Sequence, residues 1–327
     1  MSRVFVTGGS GFLGSSVVAG LAASPDVSLV VSADLGIPEL SRRIDGVEYE
    51  IADVTAADSL PDLLRRHNID VVVHLASIVN PGASTTVQQE YAVDVEGSRA
   101  VFAACLEAGV RRVVVSSSGA AYGYHADNPE WLTEGDELRG NDDFPYSRHK
   151  RLVEEQLAVL RGSSPELEQV IFRIGTILGP TVKNQITALW DGRRILEIMG
   201  SESPFVFVWI DDVVRAMVRA ATDGPAGIFN VAGNGKLTVR EIAARLGKGT
   251  LIVPAWGLAA ALAVGNALRL TPHGPAQVGF LRYRPVLDNT ALTTQFGFTP
   301  SLSSAEAFNA YLSRASASAA ATLDSHG

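Results

Sequence analysis

Residues 4–16 read VFVTGGSGFLGSS. A short β-branched run ends at Thr7. Glycines follow at Gly8, Gly9, Gly11 and Gly14, and FLGSSVVAGLAA then has helical spacing and stops before Pro25. Gly9, Gly11 and Gly14 meet the spacing G-x-G-x-x-G. Glycine there permits a tight turn, close approach of the backbone to a pyrophosphate, and packing of helix on strand. The helix start adds free N–H groups and the positive end of its dipole to the anion. The stretch therefore predicts a strand–turn–helix unit that beds a dinucleotide.

The next apolar run, VSLVVSAD, ends at Asp34, twenty residues past Gly14. An acid at that place bonds the hydroxyls of an adenosine ribose and repels a 2′-phosphate, which favours NAD over NADP. The alternative is that Asp34 caps the following turn.

Further on, apolar runs and helical patterns alternate. GVEYEIADV, IDVVVHLAS, VRRVVVSSS and LEQVIFRIG read as strands. DSLPDLLRRH, VQQEYAVDVEGSRAVFAACLEAG and PYSRHKRLVEEQLAVLRG read as helices. Continuous apolar strands separated by helices predict an α/β fold: a doubly wound, Rossmann-like parallel sheet covered on both faces. Residues 1–176 are expected to form the nucleotide-binding domain, with 205–232 returning to it. Residues 177–204 and 233–315 are expected to form a smaller, mainly helical substrate lobe. The small, polar stretch 316–327 reads as a disordered tail.

Composition narrows the function. The 327 residues are 46 % hydrophobic and carry a net charge of −8. No block of like charge stands out, so a nucleic-acid partner is not expected. The Arg42-Arg43, Arg65-Arg66, Arg111-Arg112 and Arg193-Arg194 pairs read as solvated helix ends. Cys105 is the single cysteine; it excludes an internal disulfide, reads as a small core residue, and fits a reducing compartment. No signal peptide is evident, and LIVPAWGLAAALAVGNALRL is too interrupted to span a bilayer. It reads as a buried or pocket-lining helix. The expectation is a cytoplasmic protein with no membrane partner and no metal, since its histidines lack ligand spacing.

Tyr146 and Lys150, in DFPYSRHK, stand four apart on one helix face. The preceding segment, SSSGAAYG, follows a strand, and strand ends on that side of a parallel sheet face the ligand crevice. Together these segments resemble the extended short-chain dehydrogenase/reductases, the branch of NAD-dependent nucleotide-sugar epimerases and dehydratases that includes UDP-galactose 4-epimerase. The pattern T-G-x-x-G-x-x-G is met by Thr7, Gly8, Gly11 and Gly14. IADV, HLAS, SSSGAAYG, YSRHK, FRIGTILGP and VWIDDVVRAM each resemble a family segment.

The resemblance implies a catalytic set of Ser118, Tyr146 and Lys150. It also implies NAD contacts at Gly8, Gly11, Phe12, Leu13, Gly14, Asp34, Asp53, Val54, Leu75, Ala76, Ser77, Ser116, Ile174 and Thr176, besides Tyr146 and Lys150. A phenol ordinarily ionises near pH 10, and a neighbouring ammonium favours the phenolate. A tyrosine so placed serves as base in alcohol oxidation and as acid in ketone reduction. Lysine would also hold the nicotinamide ribose, and Ser118 would bond the reacting oxygen. Ser116 and Ser117 are rivals because strand side chains alternate faces; the family segment favours Ser118. His149 is expected to point away from the Tyr146 face, as a surface or packing histidine.

The implied substrate is a small molecule, a nucleotide sugar by family. Asn184 resembles a sugar-nucleotide contact, or else caps a helix. Arg282, with Arg284, would pair with phosphate or carboxylate, or lie on the surface. Three positions depart from the pattern: Asp94 and Thr176 stand where asparagine is common, and SESPF precedes the strand where an arginine is common. Two other functions stay open: a dehydrogenase or reductase of a free sugar or a steroid-like or other small ketone, and a non-catalytic NAD sensor. The long helices 87–108 and 146–161 resemble those of family dimers, so a homodimer is expected.

Overall fold

The computed structural model describes residues 1–313 apart from 83, 181, 183–184, 269–273 and 275–276. Asn184 and the 316–327 tail lie outside the described residues.

Seven parallel strands form the central sheet. They are β1 (Ser2–Thr7), β2 (Val27–Asp34), β3 (Val47–Ile51), β4 (Val71–His74), β5 (Arg112–Ser118), β6 (Glu168–Ile174) and β10 (Gly227–Val231), in the order β10-β6-β5-β4-β1-β2-β3. The order reverses between β1 and β4, so the crevice opens at their carboxyl ends. Val71, Val72 and Val73 are wholly buried, as strands covered on both faces require. On one face α1 (Phe12–Ala22) packs against α7 (Ile210–Ala221); on the other lie α2 (Leu60–Arg66), α4 (Gly97–Ala108) and α5 (Pro145–Ser163). Cys105 is buried there, and burial pushes its thiol up to about 12. Arg112 departs from the solvated reading: it is buried in β5, donates to the carbonyls of Ala220 and Gly224, and pairs with Glu168 at 2.7 Å.

The helix expected over 87–109 is interrupted. α3 (Val87–Tyr91) and α4 flank a π-turn over Ala92–Glu96. The turn holds Asp94, whose buried carboxylate accepts from the Ser77 hydroxyl at 2.9 Å and the Ile78 N–H at 2.8 Å. Those bonds recompense the local loss of α-helical geometry, and π-turns of this kind concentrate at functional sites.

The C-terminal half adds short strands. β7 (Thr176–Leu178) pairs with β9 (Phe207–Trp209), and β8 (Arg194–Ile198) pairs with β11 (Gly249–Val253), both parallel. β9 falls on PFVFVWI, an apolar run that reads as a strand, whereas β8 and β11 are not marked by the apolar pattern. Short helices complete this region: α6 (Gln185–Ala188), α8 (Val239–Arg245), α9 (Ala255–Ala267), α10 (Gln277–Arg282) and α11 (Thr290–Thr294). A third apolar cluster gathers Trp190, Phe205, Phe207 and Phe308. Asp212, fully buried at the start of α7, accepts from the Ser301 N–H at 3.0 Å and so ties the end of the chain to the main sheet. α9 was expected as a buried or pocket-lining helix, and none of its residues is buried. No helix among the described residues is long and apolar enough to cross a membrane.

Candidate functional site

The glycine turn joins β1 to α1. Gly8 has φ +69°, and a Cβ there would stand 2.8 Å from the backbone N of Ala76, in the loop after β4. A Cβ on Gly14 would stand 2.0 Å from the Gly8 carbonyl oxygen. Both positions therefore exclude a side chain, because backbone already fills the space: Gly8 lets the turn close against the loop after β4, and Gly14 lets α1 pack on the turn. Asp34 ends β2 beside this turn. Its carboxylate accepts from the Ser10 N–H at 2.9 Å and the Leu35 N–H at 2.8 Å. So Asp34 does cap locally, and it does so at the edge of the cradle.

The other expected cofactor contacts divide. Phe12 is 43 % exposed beside Gly179, within the stretch FRIGTILGP. Leu13 is half-buried on α1. Asp53 is exposed and accepts from the N–H and hydroxyl of Thr55, while Val54 is buried against Gly97. Leu75 and Ala76 direct their N–H groups to the Thr7 hydroxyl, and Ser77 binds Asp94. Ile174 is buried at the end of β6, and Thr176, half-buried, opens β7.

Lys150 and Tyr146 meet as their spacing predicts. The Lys150 ammonium lies 5.6 Å from the centroid of the Tyr146 ring and donates to the Ser116 carbonyl at 3.0 Å. Ser147 anchors this end of α5 to the turn after β5 by donating to Ala120 O at 2.6 Å. The serine alternation resolves by face. The buried Ser117 hydroxyl donates to Glu154 at 2.5 Å, and Glu154 is paired at 2.8 Å with buried Arg173. Ser116 and Ser118 are both half-buried on the other face. Ser118 Oγ accepts from the Ala120 N–H at 3.1 Å and caps the turn after β5.

His149 was expected on another face, at the surface or packed; it is packed, 1 % exposed. Residues three apart on a helix are neighbours, so His149 shares the inward half of α5 with Tyr146. Its Nδ1 lies 3.0 Å from Asp94 Oδ2. The sequence signal was Asp94 itself: a carboxylate within an apolar helix face requires a partner. Burial raises the Asp94 carboxyl, but His149, the Lys150 charge and the Ile78 and Ser77 donors outweigh it and hold the group below the usual carboxylate range.

His74, at the end of β4, was not singled out. Its Nδ1 is 2.7 Å from the Thr7 hydroxyl and its Nε2 2.9 Å from the Ser98 hydroxyl. Burial first, then the Lys150 charge, pushes its imidazolium down to about 3. A free histidine titrates near pH 6.5. Between that value and about 3 the unfolded chain binds a proton that the native state refuses. Stability therefore falls as pH drops through this window, by up to ~1.4 kcal/mol per pH unit from this one group. Urea unfolding across that range should show a shallower acid limb in His74→Gln, by about one proton. Equal slopes would remove His74 from the account.

Near Tyr146, Tyr124, Phe144 and Phe280 pack ring against ring, with Phe280 stacked on Phe144 at 5.5 Å. Arg284 lies 4.9 Å from the Phe280 ring and 3.8 Å from that of Phe205. It donates to the Ser203 and Leu281 carbonyls, and its Nε has no hydrogen-bond partner. Burial lowers its guanidinium to about 9, with no carboxylate to offset it. Arg282 is half-buried, its guanidinium over the Tyr283 ring at 4.6 Å. Among the described residues no cluster of His, Cys, Asp or Glu could hold a metal.

Residues 4–232 match the model of the NAD dependent epimerase/dehydratase family. A UDP-glucose 4-epimerase of Mycolicibacterium smegmatis is 30 % identical over 325 residues, 93 % of this chain and 95 % of that protein. An uncharacterised Mycobacterium tuberculosis protein is 28 % identical over 94 % of this chain and 82 % of its own length. The Thermus thermophilus UDP-glucose 4-epimerase, solved in complex with NAD, superposes with a TM-score of 0.69 at 25 % identity, covering 94 % of this chain and 96 % of that one. The glycine cradle and Asp34 suit the same dinucleotide. This chain belongs to the NAD-dependent epimerase/dehydratase family of extended short-chain dehydrogenase/reductases, and its cofactor is NAD.

Proposed function

We propose that the protein is a nucleotide-sugar epimerase or dehydratase acting at a secondary alcohol carbon, with Ser118, Tyr146 and Lys150 as its catalytic residues. The observation that carries this reading is the Lys150 ammonium, fixed by the Ser116 carbonyl and facing the Tyr146 ring at 5.6 Å. Bound NAD supplies the hydride acceptor and, in the return direction, the donor. The glycine turn would hold the pyrophosphate and Asp34 the adenosine ribose. Tyr146 Oη would take the proton of the substrate alcohol and return it to the ketone. Ser118 Oγ would bond the same oxygen and fix its position.

Arg284 supports an anionic substrate. A guanidinium without a carboxylate partner, stacked between two rings, is arranged to receive a diphosphate. Arg282, the residue expected from sequence, likewise has a buried Nε without a partner and is proposed to share this part. The aromatic trio of Tyr124, Phe144 and Phe280 favours a second reading, in which the substrate is an apolar alcohol.

Thermal-shift titrations with NAD, UDP, UDP- and dTDP-sugars and steroid-like alcohols separate the two, because a ligand of the native state raises the melting temperature. The first reading expects shifts with UDP- or dTDP-sugars. In Arg284→Gln their affinity should fall roughly 10- to 100-fold, the loss of a charge-assisted bond, while the NAD shift stays. A shift with steroid-like alcohols and none with nucleotide sugars would favour the second.

We also propose a homodimer through the α3–α4 and α5 helices, on which Val87 and Val159 are exposed. Light scattering should give about twice the 34.6 kDa chain mass.

A further inference from the structure

α9 is apolar apart from Asn266 near its end. Its 13 residues, AWGLAAALAVGNA, include no charged side chain. A helix of that composition is ordinarily covered all round, yet none of its residues is buried. Trp256 is 78 % exposed, and Val264 and Leu268 about as open as a surface residue, at 59 % and 63 %. The strand leading into α9 continues the surface: Leu251 and Ile252 on β11 are each 49 % exposed. Among the described residues none buries this face.

Charge indicates what does. Residues 233–287 contain seven lysines and arginines against one acid, Glu241, in a chain whose net charge is −8. Lys236 is answered by Glu130, Arg240 by Glu197 and Lys248 by the Trp190 carbonyl, while Arg282 and Arg284 stand at the proposed substrate end. Arg245 is exposed on α8, and Arg193 and Arg194 are exposed at the start of β8, the partner strand of β11. An exposed apolar helix in a basic segment of an otherwise acidic protein suits an anionic bilayer surface. Apolar side chains with tryptophan enter the headgroup boundary, while lysine and arginine meet lipid phosphates. A second copy fits less well, since a symmetric contact would bring two basic faces together. At ~1.5 Å per residue the helix is too short to span a ~30 Å hydrocarbon core, so it would lie in the interface plane.

We infer that α9 and β11 form a docking face for the surface of an anionic membrane. Contact between α9 and α10 places this face at the substrate end of the molecule, because α10 carries Phe280 into the aromatic trio beside Tyr146. The inference is independent of which substrate the site takes.

Vesicle flotation with the full chain tests it. The protein should float with phosphatidylglycerol/phosphatidylcholine vesicles at low salt. Binding should fall at least tenfold with pure phosphatidylcholine, and likewise in about 0.5 M salt, where charge attraction is screened. The double variant Trp256→Glu, Val264→Glu changes only exposed positions and should keep the NAD melting shift while binding at least tenfold more weakly. Absence of flotation with anionic vesicles would overturn the inference, as would equal binding by the variant. So would a dimer that the variant splits in the absence of lipid, which would make a second copy the true cover.

Discussion

Tyr146→Phe should fold, bind NAD as the wild type does, and turn over its substrate about 10²- to 10⁴-fold more slowly. That is the range general acid–base catalysis supplies. The variant removes one oxygen from a half-buried ring and leaves the ring over the Lys150 ammonium. Packing therefore changes little, and the lost rate reports proton transfer. Lys150→Met should lose rate too, but with weaker NAD binding, since the same ammonium is proposed to hold the nicotinamide ribose. Steady-state kinetics beside NAD thermal shifts distinguish the two. If Tyr146→Phe keeps wild-type turnover, another group moves the proton and the proposed mechanism fails.

Gly14→Ala should abolish NAD binding and lower the melting temperature. The added methyl would stand 2.0 Å from the Gly8 carbonyl oxygen and 2.9 Å from Gly9 Cα, both backbone atoms. Overpacking that side chains can absorb costs ~1–3 kcal/mol. A turn of backbone has no rotamer to give, so the turn must open, and with it the pyrophosphate cradle. Gly36→Ala is the matched control, because nothing lies within 4 Å of its added carbon. The measurement is a pair of melting curves for each variant, with and without NAD. A Gly14→Ala protein with the wild-type NAD shift would show that the turn does not bed the cofactor.

The parts of this protein legible from its sequence are those whose cause is local. The glycine turn announces itself because backbone contact at Gly8 and Gly14 leaves no room for another residue. The seven-stranded sheet shows because Val71, Val72 and Val73, like their neighbours, are apolar on both faces. Tyr146 and Lys150 are joined by helix spacing alone. What escaped depends on distant pairing. β8 and β11 are five-residue strands more than fifty positions apart, and neither is marked until the other lies beside it. The exposure of α9 escaped because an apolar pattern states what a helix would bury, not what the chain has left to bury it. His149 escaped because its partner, Asp94, is turned inward by a π-turn that the 3.6-residue period does not anticipate. Asn184 lies outside the described residues, and Arg284, beside the expected Arg282, is proposed for the substrate end.

A crystal structure with NAD and a uridine diphosphate sugar bound tests the central claim most directly. The account predicts the pyrophosphate on the turn of Gly8, Gly11 and Gly14. It places the Tyr146 and Ser118 hydroxyls together on the substrate oxygen beside the nicotinamide, and the diphosphate of the sugar at Arg284. A Tyr146 hydroxyl turned to bulk solvent, with the sugar held elsewhere, would contradict it.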